Sequence, residues 1–129
     1  MENCPCGSSK KYHLCCSPFL EGLKAATTPE ELMRSRYTAF TKADTDYLMN
    51  TMQGNPLKNF DAKGTKAWAE NVSWLGLTVL KAPLPEKEMG TVEFIARFKE
   101  NGKECSIHEL STFQKIEGKW FYVEGKHLH

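Results

Sequence analysis

The chain has almost no excess of charge of either sign: 17 Lys and Arg stand against 16 Asp and Glu. Phosphate contacts supply most nucleic-acid affinity, so a nucleic-acid-binding role is not expected. No apolar run approaches the ~20 residues that a bilayer span requires. Internal repeats, low-complexity stretches and blocks of like charge are all missing, which excludes solenoids and long disordered tails. No signal peptide is expected either, because Met1-Glu2-Asn3 runs straight into a cysteine. What is left is one ordinary domain plus a small appendage, 129 residues in all, expected in a reducing, cytoplasmic compartment.

Against that plain background, four cysteines fall within the first sixteen residues, as Cys4-Pro5-Cys6 and then Cys15-Cys16. A pair separated by one residue and an adjacent pair after a short loop can place four sulfurs around one tetrahedral centre. Zinc is the usual occupant of an all-sulfur site, and four protein ligands leave no open position for a reacting water. A structural zinc is therefore expected, with a disulfide framework as the competing reading. Adjacent Cys15 and Cys16 are awkward disulfide partners in a compact loop. His13 is an alternative ligand to one of the cysteines.

The run Cys4-Pro5-Cys6-Gly7-Ser8-Ser9-Lys10-Lys11-Tyr12-His13-Leu14-Cys15-Cys16 resembles the SEC-C motif, the zinc knuckle at the C-terminus of the SecA preprotein translocase. The resemblance implies Cys4, Cys6, Cys15 and Cys16 as ligands and a protein partner docking on the loop Lys10, Lys11, Tyr12 and His13. Ser9 stands where that motif usually has glycine, which implies a side chain strained in a left-handed backbone position.

After Cys16 the pattern divides in two. Ser17-Pro18 opens a short helix, predicted over Phe19 to Ala25. Thr28-Pro29-Glu30-Glu31 is a capping box with proline in the first turn, opening a helix to about Lys42. Asp44 or Thr45 caps another, Asn55-Pro56 breaks the chain, and Asp61 starts a third around Trp68. Strands are predicted for Ser73 to Lys81, Thr91 to Lys99, Glu104 to Gln114 and Lys119 to Gly125. Asn101-Gly102 and Glu117-Gly118 supply two-residue hairpin turns. Helices followed by an antiparallel meander argue an α+β fold with the helices on one sheet face.

That order resembles the nuclear-transport-factor-2-like (NTF2-like) fold, a curved sheet wrapping helices into a cone. The whole chain resembles the YchJ family, through the knuckle, Leu32-Met33-Arg34-Ser35-Arg36-Tyr37-Thr38-Ala39-Phe40, His108-Glu109-Leu110-Ser111-Thr112-Phe113 and Gly118-Lys119-Trp120-Phe121-Tyr122. Two parts are implied, a knuckle over residues 1–18 and an NTF2-like domain over 19–129, each expected to be separable from the other. Longer members of that family end in a second knuckle, where this chain ends at Lys126-His127-Leu128-His129.

The hairpins assign side chains to faces. With Asn101-Gly102 as the turn, Phe98 pairs with Cys105, Ala96 with Ile107, Phe94 with Glu109 and Val92 with Ser111. With Glu117-Gly118 as the next, Phe113 pairs with Tyr122 and Ser111 with Glu124. Residues two apart share a face, so Glu109, Ser111 and Glu124 are expected inside, among apolar neighbours. Helical periodicity places Arg36 near the middle of an apolar arc with Tyr37, and points Arg34 to solvent. A lone buried charge is costly, so Arg36 is expected to pair with Glu109, Glu124 or both.

Two functions follow. Arg36, Tyr37, Glu109, Ser111, Tyr122 and Glu124 either line a pocket for a small ligand, with Glu109 or Glu124 able to act as a base, or form an ion-pair network that plugs the cone. The first expectation for the chain is a protein-interaction adaptor docking through its knuckle; the alternative is a small-molecule-binding protein or acid/base enzyme. Cys105 reads as a buried small hydrophobe with His108 on the opposite face, the tail histidines His127 and His129 as solvated, and the tryptophans as core or pocket wall.

Overall fold

Side chains that satisfy free backbone N–H groups set where the helices begin. The computed structural model describes residues 2–128, so His129 lies outside the described residues. Thr28 accepts the Glu31 N–H at 3.1 Å, and α2 runs over Pro29–Thr41. Glu31 turns back and accepts both the backbone N–H and the hydroxyl of Thr27, at 2.8 and 2.9 Å. This is a capping box reaching one residue further out than usual. Asp44 caps α3 (Thr45–Asn50) and Asp61 caps α5 (Ala62–Asn71) in the same way. Two helices depart from expectation. The first, α1, covers only Ser17–Leu20 and is followed by Gly22 in the left-handed region. Asn55-Pro56 does not break the chain but opens a single turn, α4 (Asn55–Lys58), because proline lacks only an N–H that the first turn leaves unpaired anyway.

Four strands follow: β1 (Ser73–Lys81), β2 (Met89–Glu100), β3 (Lys103–Ile116) and β4 (Lys119–His127). They form one antiparallel sheet in chain order. Both hairpin turns have positive φ at both central residues, 53° and 80° at Asn101-Gly102 and 52° and 83° at Glu117-Gly118. Their twist matches that of the flanking strands, and the β2–β3 register is the expected one throughout, from Phe98 opposite Cys105 to Val92 opposite Ser111.

The third hairpin corrects one assignment. Phe113 pairs with Tyr122 as expected, but Thr112 pairs with Glu124 and Ser111 with Gly125. Val123 is an extra residue on β4, and such a bulge reverses the inward and outward parity of everything beyond it. Glu124 is therefore exposed on the outer side, and Gly125 takes the inward position expected for it. The edge of β4 is paired at this point by the segment after α3: the Tyr122 N–H donates to the Thr51 carbonyl (2.8 Å) and the Gln53 N–H to the Tyr122 carbonyl (3.0 Å).

The core lies between α2 and the sheet, built on Leu32, Met33, Tyr37, Val92, Phe94, Phe113 and Trp120. Cys105 is only half-buried, near the hairpin end, with its thiol 3.6 Å from the Lys103 carbonyl. His108 is on the opposite face, as expected, where its Nε2 meets Glu93 at 2.7 Å. His127 is exposed. No helix among the described residues is long and apolar enough to cross a membrane.

Candidate functional site

The N-terminal loop brings its cysteines together by backbone pairing. The Cys4 N–H donates to the Lys10 carbonyl at 2.8 Å and the Tyr12 N–H to the Glu2 carbonyl at 3.1 Å, closing the loop on itself. The sulfurs of Cys4, Cys6, Cys15 and Cys16 all lie within 4.8 Å of one another. Cys6 and Cys15 are 3.6 Å apart, Cys15 and Cys16 3.9 Å. Four thiolates bound at about 2.3 Å to one zinc stand ~3.8 Å apart, and these two separations match that spacing. None is in a disulfide. A hydrogen bond from Cys16 pulls the Cys6 thiol down to about 4, and the same bond pushes Cys16 upward. Cys6 is thus the thiolate of this pair, the form that binds metal, while burial pushes the Cys15 thiol up, so metal binding must displace protons from its neighbours. His13 is exposed and lies outside this cluster.

Two positions in the loop take the left-handed region. Gly7 has φ 80°, and a Cβ there would stand 2.8 Å from the Leu77 carbonyl of β1. Ser9 has φ 70° without being glycine. Left-handed backbone costs an L-residue roughly 1–2 kcal/mol, so Ser9→Gly is expected to raise stability by about 1 kcal/mol, measured by urea unfolding with metal content unchanged. A neutral or negative result there shows the serine is not strained.

The loop is fastened to α2. Arg34 Nη1 donates to the Cys6 carbonyl at 2.6 Å, while Nε holds Glu30 at 2.9 Å. Arg34 was expected in solvent and is instead the clamp between helix and knuckle. Helical periodicity could show only that it points away from the core, not that the knuckle waits there. The Cys4 sulfur lies 3.6 Å from the Thr38 hydroxyl, and the Lys42 ammonium stands 4.8 Å over the Tyr12 ring.

On its other side α2 walls a cavity of about 310 Å3 between the helices and the sheet. Aromatic rings meeting edge-on form one end: Trp68 and Trp74 have centroids 5.3 Å apart, and Tyr37 meets Trp74 at 5.7 Å. Arg36, Tyr37, Glu109, Ser111 and Tyr122 all line it, and Glu124 does not. The expected ion pair is absent as well. Among the described residues no carboxylate reaches ion-pair distance of the Arg36 guanidinium.

Instead Arg36 Nη1 donates to the Leu48 carbonyl at 2.8 Å and to the Thr51 hydroxyl at 2.7 Å, and the guanidinium lies 4.7 Å over the Tyr122 ring. Thr51 and Leu48 come from α3 and its end, so neutral acceptors and a π-face replace the carboxylate. Nε and Nη2 make no hydrogen bond to the protein, although Arg36 is only 5% exposed and no fully buried side-chain nitrogen lacks a partner among the described residues. Neither nitrogen is both unpaired and fully buried, and Arg36 is among the residues that line the cavity. Burial lowers the guanidinium to about 10 from its usual 12.5, which leaves it cationic at neutral pH.

Glu109 holds a second arrangement beside it. Its Oε2 accepts the Ser111 hydroxyl at 2.7 Å and the Tyr122 hydroxyl at 3.4 Å. Burial, followed by the neighbouring Glu109 carboxylate, pushes the Tyr122 phenol up to about 12, so it stays a donor. Breaking a buried ion pair costs about 3–5 kcal/mol. With only neutral partners to lose, Arg36→Met is expected to shift unfolding stability by less than about 2 kcal/mol. A loss in the ion-pair range would show that a carboxylate pairs with Arg36 in solution.

The chain is similar to several known proteins. A family model described as "YchJ, middle NTF2-like domain" matches residues 28–125. A UPF0225 protein of Geobacter sulfurreducens is 44% identical over 124 residues, 95% of this chain and 77% of that protein. The solution structure of a SEC-C motif containing protein from Rhodopseudomonas palustris superposes with a TM-score of 0.90 at 43% identity, over 99% of this chain and 100% of that one. The crystal structure of a SEC-C motif containing protein from Psychrobacter arcticus gives 0.87 at 30% identity, over 100% and 84%. An NTF2-like protein from Shewanella oneidensis, at 14% identity and a TM-score of 0.55 over 75% of this chain and 93% of its own, shares the fold alone.

Proposed function

The chain belongs to the YchJ family, a SEC-C motif joined to an NTF2-like domain, and from that premise we propose that it is a small-molecule-binding protein whose four-cysteine knuckle holds a structural zinc. In this reading residues 1–18 are the knuckle and 19–129 the binding domain. Cys4, Cys6, Cys15 and Cys16 hold the metal, and Arg36, Tyr37, Glu109, Ser111 and Tyr122 face the ligand. One observation carries it: a buried guanidinium with free donors and no carboxylate at ion-pair distance sits on a mainly apolar cavity of about 310 Å3. Buried charge is costly unless paired, and a ligand supplies the missing partner. Pocket volumes of about 300–1,000 Å3 with few convergent polar groups are typical of ligand sites.

The test uses the whole, metal-loaded chain and an apolar fluorescent dye, anilinonaphthalene sulfonate, with Trp68 and Trp74 as internal reporters. Dye binding that quenches the tryptophans in the parent and disappears in Ala96→Leu, a change on the cavity wall, is the expected result. Equal dye binding in both proteins shows that the cavity is not the site.

A second reading, docking of a protein on the knuckle, rests on a different observation: Lys10, Lys11, His13 and Leu14 are exposed at the tip of the loop, Leu14 at 67%. An exposed leucine flanked by basic residues suits an acidic, partly apolar peptide. Lys10→Glu together with Leu14→Asp removes such binding without touching a cysteine, and a partner captured equally by both forms would rule this surface out.

A further inference from the structure

The two charged groups of the cavity are set by one residue. Tyr122 lies under the Arg36 guanidinium with its ring and donates to Glu109 with its hydroxyl. A cation with open N–H donors and a carboxylate with acceptor capacity therefore stand at the same end of the cavity, without pairing with each other. The other end is aromatic, with Phe40, Trp68 and Trp74.

This arrangement limits the head group. A simple anion would satisfy Arg36 and sit beside the Glu109 carboxylate. A simple cation would satisfy Glu109 and leave the guanidinium unpaired. Only one guanidinium is present, so a phosphate or a dicarboxylate would keep uncompensated charge in an apolar site. Sugars require more polar groups than these walls offer. A head carrying both charges matches both groups, and a body of aromatic or branched aliphatic carbon matches the far wall. The cavity lies at the small end of the range for ligand pockets, which suits a molecule of about a dozen non-hydrogen atoms.

We infer that the cavity takes a free α-amino acid with an aromatic or large aliphatic side chain, its carboxylate on Arg36, its ammonium on Glu109 and its side chain among Phe40, Trp68 and Trp74. The inference rests on the cavity being a ligand site, as proposed above. Ser111 and Tyr122 are positioning residues, holding the Glu109 carboxylate at the distance an ammonium needs.

Calorimetric titration of the metal-loaded chain with three probes decides it: L-phenylalanine, 3-phenylpropionate, which lacks the ammonium, and phenethylamine, which lacks the carboxylate. L-phenylalanine is expected to bind at least about tenfold more tightly than either, since each lost charged hydrogen bond is worth that factor or more. Glu109→Gln is expected to erase its advantage over 3-phenylpropionate while leaving phenylpropionate binding intact. Arg36→Met is expected to erase its advantage over phenethylamine. The dye and Ala96→Leu keep the two claims apart. If the dye occupies the cavity and L-phenylalanine binds no better than the single-charge probes, or Glu109→Gln leaves the ratio unchanged, the amino-acid assignment is wrong and the ligand site stands. If neither dye nor probe responds to Ala96→Leu, both fall.

Discussion

Cys16→Ser is expected to purify with less than one-tenth of the metal of the parent and to melt about 10 °C lower, while its body still folds. Cys16 is almost fully buried among the four sulfurs, and serine is a poor zinc ligand. In peptides that metal alone holds folded, zinc contributes about 10–16 kcal/mol. Only part of that reaches the body, which has its own apolar core on the sheet. The linked part runs through Arg34 on the Cys6 carbonyl, Thr38 beside the Cys4 sulfur, and Gly7 against the Leu77 carbonyl. A loss of about 3 kcal/mol through these contacts corresponds to roughly 10 °C for a domain of this size. Atomic absorption and calorimetry check both halves, and chelation of the parent should give the same drop. A chelated protein with an unchanged melting temperature would show that the knuckle is merely tethered.

The second large effect is expected at a residue with no side chain. Gly125→Ala should destabilise by about 2–3 kcal/mol and lower affinity for any cavity ligand at least about tenfold. A Cβ at position 125 would collide with the Tyr122 hydroxyl oxygen and stand 2.5 Å from Glu109 Oε2. Both atoms belong to side-chain ends and can retreat, so the sheet survives, but the retreat separates Tyr122 from Glu109 and displaces the ring from beneath Arg36. The glycine is required here for space, since it is not among the positive-φ positions. Urea unfolding and a dye titration measure the two effects. An alanine that folds with parental stability and binds normally would place Gly125 away from the cluster.

What could be read ahead of the structure follows the range of the interactions. The β2–β3 register was legible because an Asn-Gly turn fixes a hairpin locally, and every pair from Phe98–Cys105 to Val92–Ser111 follows from it. Arg36 was placed inward by helical periodicity alone. Glu124 was misplaced because the turn fixes the register only as far as the bulge at Val123, beyond which the parity reverses; beside the bulge Tyr122 pairs with Thr51 and Gln53, which are distant in the chain. One local signal existed: Gly125, a glycine within a strand, marks a bulge or a close approach. The neutral partners of Arg36 had no such signal, because the Leu48 carbonyl is backbone and carries no trace in composition. Arg34 was legible as outward-facing, but the knuckle it clamps is a through-space neighbour.

Helix α2 lies between the knuckle and the cavity, and none of its thirteen residues is exposed. A surface helix normally has one face on which almost any polar residue is accepted. Here a library substituting every position from Pro29 to Thr41 should find no such tolerant face. Met33, Arg36, Tyr37 and Phe40 are held by the cavity, Arg34 and Thr38 by the cysteine loop, and Ser35 by the Tyr47 hydroxyl at 2.6 Å. Drift in this segment is therefore expected to be concerted, with a change on one side of the helix admitted only when its client on that side changes too.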